Sequence, residues 1–273
     1  MPEAVHGAEL VFHLAGLTRA KSMAAFMAAN AVGVGNLARA CRQHAPHLRR
    51  FMLVSSMAAA GPGTAAAPRS EEQTEAPVSG YGRSKLAGEA ELRAAFSANW
   101  ACRWTIVRPP IVFGPWDKDV LTLLQGVQKG WALLPSGPER SFSVVYAPDL
   151  AVALVHLAQQ ADAAAQVVHA AHEKVYGHGA MLDAMSAAVG RVPRRVRLPA
   201  WVTWSAAAAG SVLQHCRPRP PLLTLDKLNE VMAPGWVASS AKLQQLNPGA
   251  CATSLEVGLE PTVQWYRQRG WLR

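Results

Sequence analysis

Cysteine is scarce: Cys41, Cys102, Cys216 and Cys251 are the four in 273 residues, far apart and with no CxxC pair. Neither a disulfide framework nor a zinc knuckle is expected, no metal site is indicated, and a reducing cytoplasm fits. Acidic side chains are also in short supply, 18 against 27 lysines and arginines, for a net charge of +9. Such an excess admits an anionic partner. The arginines, however, are spread over separate clusters (Arg49 and Arg50; Arg191, Arg194, Arg195 and Arg197; Arg217 and Arg219; Arg267, Arg269 and Arg273). No patch interleaves them with aromatics, so nucleic-acid binding is not expected. Long apolar runs are missing too. The longest, Ala200 to Leu213, is interrupted by Thr203, Ser205 and Ser211, and it falls short of the roughly 20 residues a membrane-spanning helix needs. A buried or surface-lying helix is expected there, not an integral membrane segment. The opening Met-Pro-Glu-Ala-Val-His has no basic leader followed by an apolar stretch, so no signal peptide is expected and the expected location is cytoplasmic.

What is present is an alanine-inflated hydrophobic fraction of 50% with a mean hydropathy of +0.06. That composition excludes disorder, collagen and coiled coil, and the length suffices for one large domain or two small ones. Leu10 to Ala15 is a compact apolar run ending at Gly16, the pattern of a strand buried on both faces. A helix is expected from Met23 to Arg42, a second buried strand over Phe51 to Ser55, a Gly/Pro/Ala-rich loop over Ala58 to Ser79, and a helix over Tyr81 to Phe96. Trp104 to Val107 reads as a third strand, stopped by Pro109 and Pro110, which cannot donate to a ladder. Ser143 to Tyr146 and Gln166 to Ala170 read as further strands flanking a helix over Pro148 to Gln160, with Asp149 as its cap. Beyond Gly177 the chain should be mostly helical. Strands alternating with helices of this length imply right-handed crossovers and a doubly wound, parallel α/β sheet.

In such sheets ligands bind beyond the carboxyl ends of the strands. Three of those ends carry polar or glycine-containing sequence: His13 to Gly16, Ser55-Ser56, and Arg108-Pro109-Pro110. Tyr81-Gly82-Arg83-Ser84-Lys85 opens the following helix. Tyr81 and Lys85 at i and i+4 share a face, so an ammonium can sit near a phenol and favour its phenolate. A tyrosine then becomes usable as an acid or base near neutrality. Ser56 precedes Tyr81 by 81−56 = 25 residues, at the end of a buried strand.

On these residues the chain resembles the extended short-chain dehydrogenase/reductase family: NAD(P)-dependent epimerases, dehydratases and 3β-hydroxysteroid dehydrogenase-like reductases. Val11 to Gly16 looks like that family's strand beneath the cofactor, and Asn30 to Gly33 with Asn36-Leu37 like its following helix. Phe51 to Gly61 is similar to the strand and turn carrying the active-site serine, and Arg108 to Pro115 to the strand end beside the nicotinamide. Trp265-Tyr266-Arg267 and Gly270-Trp271-Leu272 look like the family's C-terminal helix. The resemblance implies a Rossmann-like domain over residues 1–175 that lacks its first strands. A smaller, mostly helical substrate region over 176–273 would follow, with contributions from 115–142. Tyr81 would be general acid/base, Ser56 would hydrogen-bond the reacting oxygen, and Lys85 would hold the nicotinamide ribose and lower the tyrosine pKa. His13, Ala15, Gly16, Asn30, Ser55, Tyr81, Lys85, Pro109 and Val112 would surround NAD or NADP. From the residues alone, His13 reads as a satisfied buried histidine, and Asn30 reads equally as a structural helix residue.

The resemblance also exposes a gap. No GxxGxxG or GxGxxG precedes the first strand, and Gly33 and Gly35 fall inside a helix after it, so two strand-helix units and a further strand would be missing. Weak or absent NAD(P) binding by this chain alone follows as an expectation. The alternative to an oxidoreductase or epimerase/dehydratase is then a catalytically impaired fragment or a non-catalytic binding or regulatory protein on the same fold. Seven residues before Asp149, where nucleotide-sugar epimerases carry an arginine, stands Phe142, with Arg140 two residues away. That lowers the expectation of a nucleotide sugar. Trp131, Trp201, Trp204 and Trp236 would either line an apolar pocket for a steroid-like substrate or belong to the core. A small-molecule substrate is expected, and a homodimer through the helices Met23 to Arg42 and Tyr81 to Phe96 is what the resemblance implies.

Overall fold

The structure, a computed structural model, describes residues 2–97, 100, 103–135, 137–214, 221 and 223–273. Cys102, Cys216, Arg217 and Arg219 lie outside the described residues. After a short helix α1 (Pro2–Val5), the chain enters strand β1 (Leu10–His13) and a long helical passage. That passage is α2 (Met23–Met27), a π-helical segment Ala28–Val32, and α3 (Gly33–His44). Strand β2 (Arg50–Val54), a single helical turn α4 (Met57–Ala60), helix α5 (Gly80–Ala95) and strand β3 (Trp104–Arg108) follow. Then come β4 (Ile111–Phe113), α6 (Lys118–Lys129), β5 (Trp131–Pro135), β6 (Ser141–Phe142), β7 (Val144–Tyr146), α7 (Ala147–Gln159) and β8 (Gln166–His169). The rest comprises β9 (Tyr176–Gly177), α8 (His178–Val189), β10 (Arg194–Leu198), α9 (Ala200–Leu213), α10 (Leu225–Met232), β11 (Gly235–Trp236), α11 (Ala241–Leu246) and α12 (Leu255–Gln268). No helix among the described residues is long and apolar enough to cross a membrane.

The main sheet has the order β1-β2-β3-β8, every pairing parallel. Alternation sorts its side chains. Phe51, Leu53, Trp104 and Ile106 face the layer of α3 and α5 with Val34, Ala38, Cys41, Leu92 and Phe96. Met52, Val107 and Val168 face α7 and α11 with Leu150, Leu154, Leu157 and Leu243. Helices on both faces of a parallel sheet are the doubly wound arrangement expected. A second core, built by Leu124, Val127, Leu182, Met185, Leu259, Val263 and Tyr266, joins α6, α8 and α12.

Four local readings are corrected. Strand β1 is not buried on both faces; it is half-buried with Phe12 exposed, because among the described residues it pairs on one side only. The Ala58 to Ser79 loop begins inside helical turn α4, capped by Ser56, whose Oγ accepts from Ala58 N at 3.1 Å. The Met23 to Arg42 helix is widened by its π segment. There α5 presses so close that a Cβ on Gly88 would stand 2.1 Å from the carbonyl oxygen of Asn30, and π-bulges often mark functional sites. Asp149 does not cap α7; its carboxylate accepts from Thr253 N at 2.8 Å and Oγ1 at 3.0 Å, pinning the segment before α12.

Candidate active site

Parallel pairing brings the carboxyl ends of β1, β2 and β3 into one row. There Ser55 N donates to Val107 O at 2.7 Å, and Met57 N donates to the carbonyl of buried Pro109 at 2.9 Å. Helix α5 crosses this row. Its amino end is fixed by Ser79, whose Oγ accepts from Gly82 N at 3.0 Å and donates to Glu230 on α10. Gly80 N donates to Asp226 on the same helix at 2.7 Å. Gly82 is required here, since a Cβ would approach Ala58 O to 2.2 Å.

Tyr81, Lys85 and Glu89 then follow at one-turn spacing and sit at three depths. The Tyr81 phenol borders a cleft of about 330 Å³ between α5, the Thr18–Met23 segment, α9 and α10, and its oxygen is hydrogen-bonded to Ser56. Lys85 is buried and donates to Val54 O at 2.7 Å; burial pulls its pKa down to about 8, with Glu89 opposing. Glu89 is fully buried. It accepts from Ser55 Oγ at 2.6 Å, from Arg108 at 2.8 and 2.7 Å, and from Arg93 at 3.2 Å. Arg108 also donates to Glu75 at 2.8 Å. Two cations thus meet two carboxylates, which is what allows charges to remain inside a sheet.

The expected phenolate is not what this environment favours. Burial raises the Tyr81 pKa and the Glu230 carboxylate adds to the rise, while the Ser56 hydrogen bond works against both. Lys85 spends one N–H on β2. At neutral pH the phenol keeps its proton.

The loop after β1 lies over Lys85. Asn30 Oδ1 accepts from Leu17 N at 2.7 Å, and its Nδ2 donates to Leu17 O and to Ser84 Oγ, both at 2.9 Å. A Cβ on Gly16 would fall 2.8 Å from Asn30 Oδ1 and 3.7 Å from Lys85 Nζ, so glycine lets the loop close down on both. Asn30 therefore fastens the loop to the helix carrying Tyr81 and Lys85. Ala15 is exposed on this loop. His13 is half-buried and its Nε2 has no partner among the described residues; burial and the charge of Lys85 lower its pKa. It is thus not the satisfied histidine expected from an apolar strand.

Ser56, Tyr81, Lys85, His13, Gly16 and Asn30 come together. The Ser55 hydroxyl is committed to Glu89. Val112 lies on β4, opposite Val145, and packs against the core beneath α7. Arg140 is buried and donates to Ala233 O at 3.0 Å. Of the four tryptophans weighed as pocket or core, Trp131, Trp201 and Trp204 are exposed, and Trp236 is half-buried with its indole N–H on Glu230 O. Sequence reasoning missed Glu89, Glu75, Asp226 and Glu230. A signal for the first existed: Arg108 directly follows the apolar strand Trp104 to Val107, and an arginine carried into the sheet demands a buried partner.

A sequence model of the NAD dependent epimerase/dehydratase family matches residues 2–171. Among curated proteins, a ceramide reductase of Caulobacter vibrioides is 29% identical over 266 residues, 97% of this chain and 76% of its own. A dTDP-4-dehydrorhamnose reductase of Mycobacterium tuberculosis is 34% identical over 173 residues, 62% of this chain and 54% of its own. Among solved structures, gox2253 superposes with a TM-score of 0.79 at 19% identity over 100% of this chain and 82% of that one. UDP-glucuronic acid 4-epimerase of Bacillus cereus with NAD gives a TM-score of 0.76 at 17% identity, 98% of this chain and 77% of that one. These last two share the fold. With the family match extending over more than half its length, the chain belongs to the NAD dependent epimerase/dehydratase family, a family of NAD-dependent enzymes.

Proposed function

We propose that the chain is a nicotinamide-dependent reductase of a small carbonyl compound, with Tyr81 as the proton donor. The observation that carries this reading is the Tyr81 phenol itself: it is hydrogen-bonded to Ser56 at the edge of the cleft, and burial and Glu230 keep it protonated. A group that holds its proton at neutral pH is suited to give it to an oxygen gaining negative charge, which is the reducing direction. Both curated relatives named above are reductases by name.

The residues present fit the nicotinamide-ribose end of the cofactor. His13 Nε2 is a buried nitrogen without a partner among the described residues, the loop at Ala15 and Gly16 is open to solvent, and Lys85 retains two N–H groups beyond the one given to Val54 O. His13, Gly16 and Lys85 would hold that end, NAD or NADP alike. When bound, the cofactor supplies the hydride. Ser56 orients the substrate oxygen, Tyr81 delivers the proton to it, and the Lys85 ammonium stabilises the phenolate left behind. Asn30 keeps the loop over Lys85 closed, and the Glu89-Arg108 pair fixes the helix on which both groups ride.

The test is Tyr81→Phe. Removing one general acid costs about 10² to 10⁴ in rate, so kcat should fall by that factor while the KM for cofactor stays near the unsubstituted value. Turnover by Tyr81→Phe within a factor of about three of the parent would overturn the reading, because general acid catalysis is worth far more than that.

A further inference from the structure

Helix α9 contains no charged residue in its fourteen positions. Its inner seam, Thr203, Ala207 and Gly210, is buried, and Gly210 lies so close to Leu223 O that a Cβ would stand 2.0 Å away. The outer side presents Trp201, Trp204, Val212 and Leu213, and both tryptophans are more exposed than buried, at 71% and 58%. The β5-β10 ribbon that feeds into this helix continues the same character. Its register pairs Arg194 with Trp131 and Val196 with Leu133, so these four side chains share one face, and Trp131 and Leu133 are exposed at 52% and 63%. The Arg194 guanidinium lies 5.7 Å from the Trp131 ring. Arg191 is exposed beside the start of the ribbon, Arg195 and Arg197 alternate onto its other face, and no acidic residue occurs from Ala184 to Leu225.

Singly exposed apolar residues are ordinary; an uncharged helix with an apolar exposed side, entered directly from a ribbon that exposes Trp131 beside Arg194, is not. We propose that α9 and the β5-β10 ribbon form a docking face for an anionic lipid bilayer, with α9 lying in the interfacial plane. Tryptophan is favoured at the headgroup level because its ring is apolar and its N–H is polar. The arginines gain from the negative surface potential of such a bilayer. The same charges disfavour a second copy of this chain, since two like-charged faces would meet. Ser211 of α9 and Gln214 just beyond it line the cleft beside Tyr81, so the docking face adjoins that cleft.

Co-sedimentation of the full chain with phosphatidylcholine vesicles, and with vesicles containing about one-third phosphatidylglycerol, tests this. The chain should sediment with the anionic vesicles, less so as salt is raised. Trp201→Ser with Trp204→Ser should lower the partition coefficient by about tenfold or more, equivalent to about 1.4 kcal/mol, with an unchanged circular dichroism spectrum. Arg194→Gln should lower it on anionic vesicles only. Tyr81→Phe should sediment like the parent, which separates docking from catalysis. The proposal is overturned by absence of anionic-vesicle binding, by equal binding of the tryptophan variant, by concentration-dependent dimerisation that this variant abolishes, or by preference for an acidic polypeptide such as polyglutamate over vesicles.

Discussion

Removing the Glu89 carboxylate should be among the most damaging single changes in the sheet. Glu89 is 0% exposed and receives hydrogen bonds from Ser55, Arg93 and, twice, Arg108, whose guanidinium is itself 0% exposed. In Glu89→Ala the Arg108 charge keeps only Glu75 as a partner, a residue with its side chain 32% exposed. Breaking one side of a buried pair costs about 3–5 kcal/mol, and the orphaned Ser55 hydroxyl adds about 1 kcal/mol. In a domain of this size such a loss lowers Tm by roughly 10 °C or more. Denaturant titration should therefore show a lower midpoint at unchanged slope. Pairing Glu89→Leu with Arg108→Met should restore most of the loss, because apolar replacement of a whole buried pair is close to neutral. A Glu89→Ala penalty below about 1 kcal/mol, or no recovery in the double variant, would refute the view that an uncompensated buried guanidinium is the cause.

Two further outcomes follow from the titrating groups. Glu230→Gln keeps an acceptor for Ser79 but removes the negative charge that raises the Tyr81 pKa, so the basic limb of the kcat/KM profile should move to lower pH; an unmoved limb would show that Glu230 does not act on the phenol. Lys85 has its pKa lowered from 10.5 to about 8, so from about pH 8 to about pH 10.5 the unfolded chain holds a proton there that the folded chain has released, and stability gains with rising pH over that window. The gain is about 3 kcal/mol at most; urea titrations from pH 8 to 10 should show it in the parent and lose it in Lys85→Met, and parallel curves would mean that Lys85 is not desolvated.

What the sequence made legible is what neighbouring residues decide. The short apolar runs at Leu10 to His13, Phe51 to Val54 and Trp104 to Val107 announce strands, and the Tyr81-Lys85 spacing is a property of one helix. Apart from the local turn α4, the corrections lie where distant chain meets. Strand β1 is half-buried because burial belongs to the sheet's outline. Asp149 leaves its own helix for Thr253, 104 residues away, and Ser79 finds Glu230 across 151. The Tyr81-Lys85 spacing points to a lowered phenol pKa, yet burial and a carboxylate on α10 raise it, with Ser56 opposing. Nothing local announces that carboxylate.

Helix α5 shows why a short motif can carry so much. Residues four apart stack on one side of a helix, so Tyr81, Lys85 and Glu89 form a single line running from cleft to sheet interior. Each meets a different environment: Ser56 and Glu230 at the cleft, Val54 O at the strand end, Arg108 within the core. The line works only if the helix sits hard against its neighbours. Small residues make that possible, Gly82 beneath Ala58 O and Gly88 beneath Asn30 O. Asn30, lifted by the π segment, then reaches back to hold the Leu17 loop over Lys85. The placement of Tyr81 and of the lysine behind it is thus inseparable from the buried Glu89-Arg108 pair, one more turn along the helix.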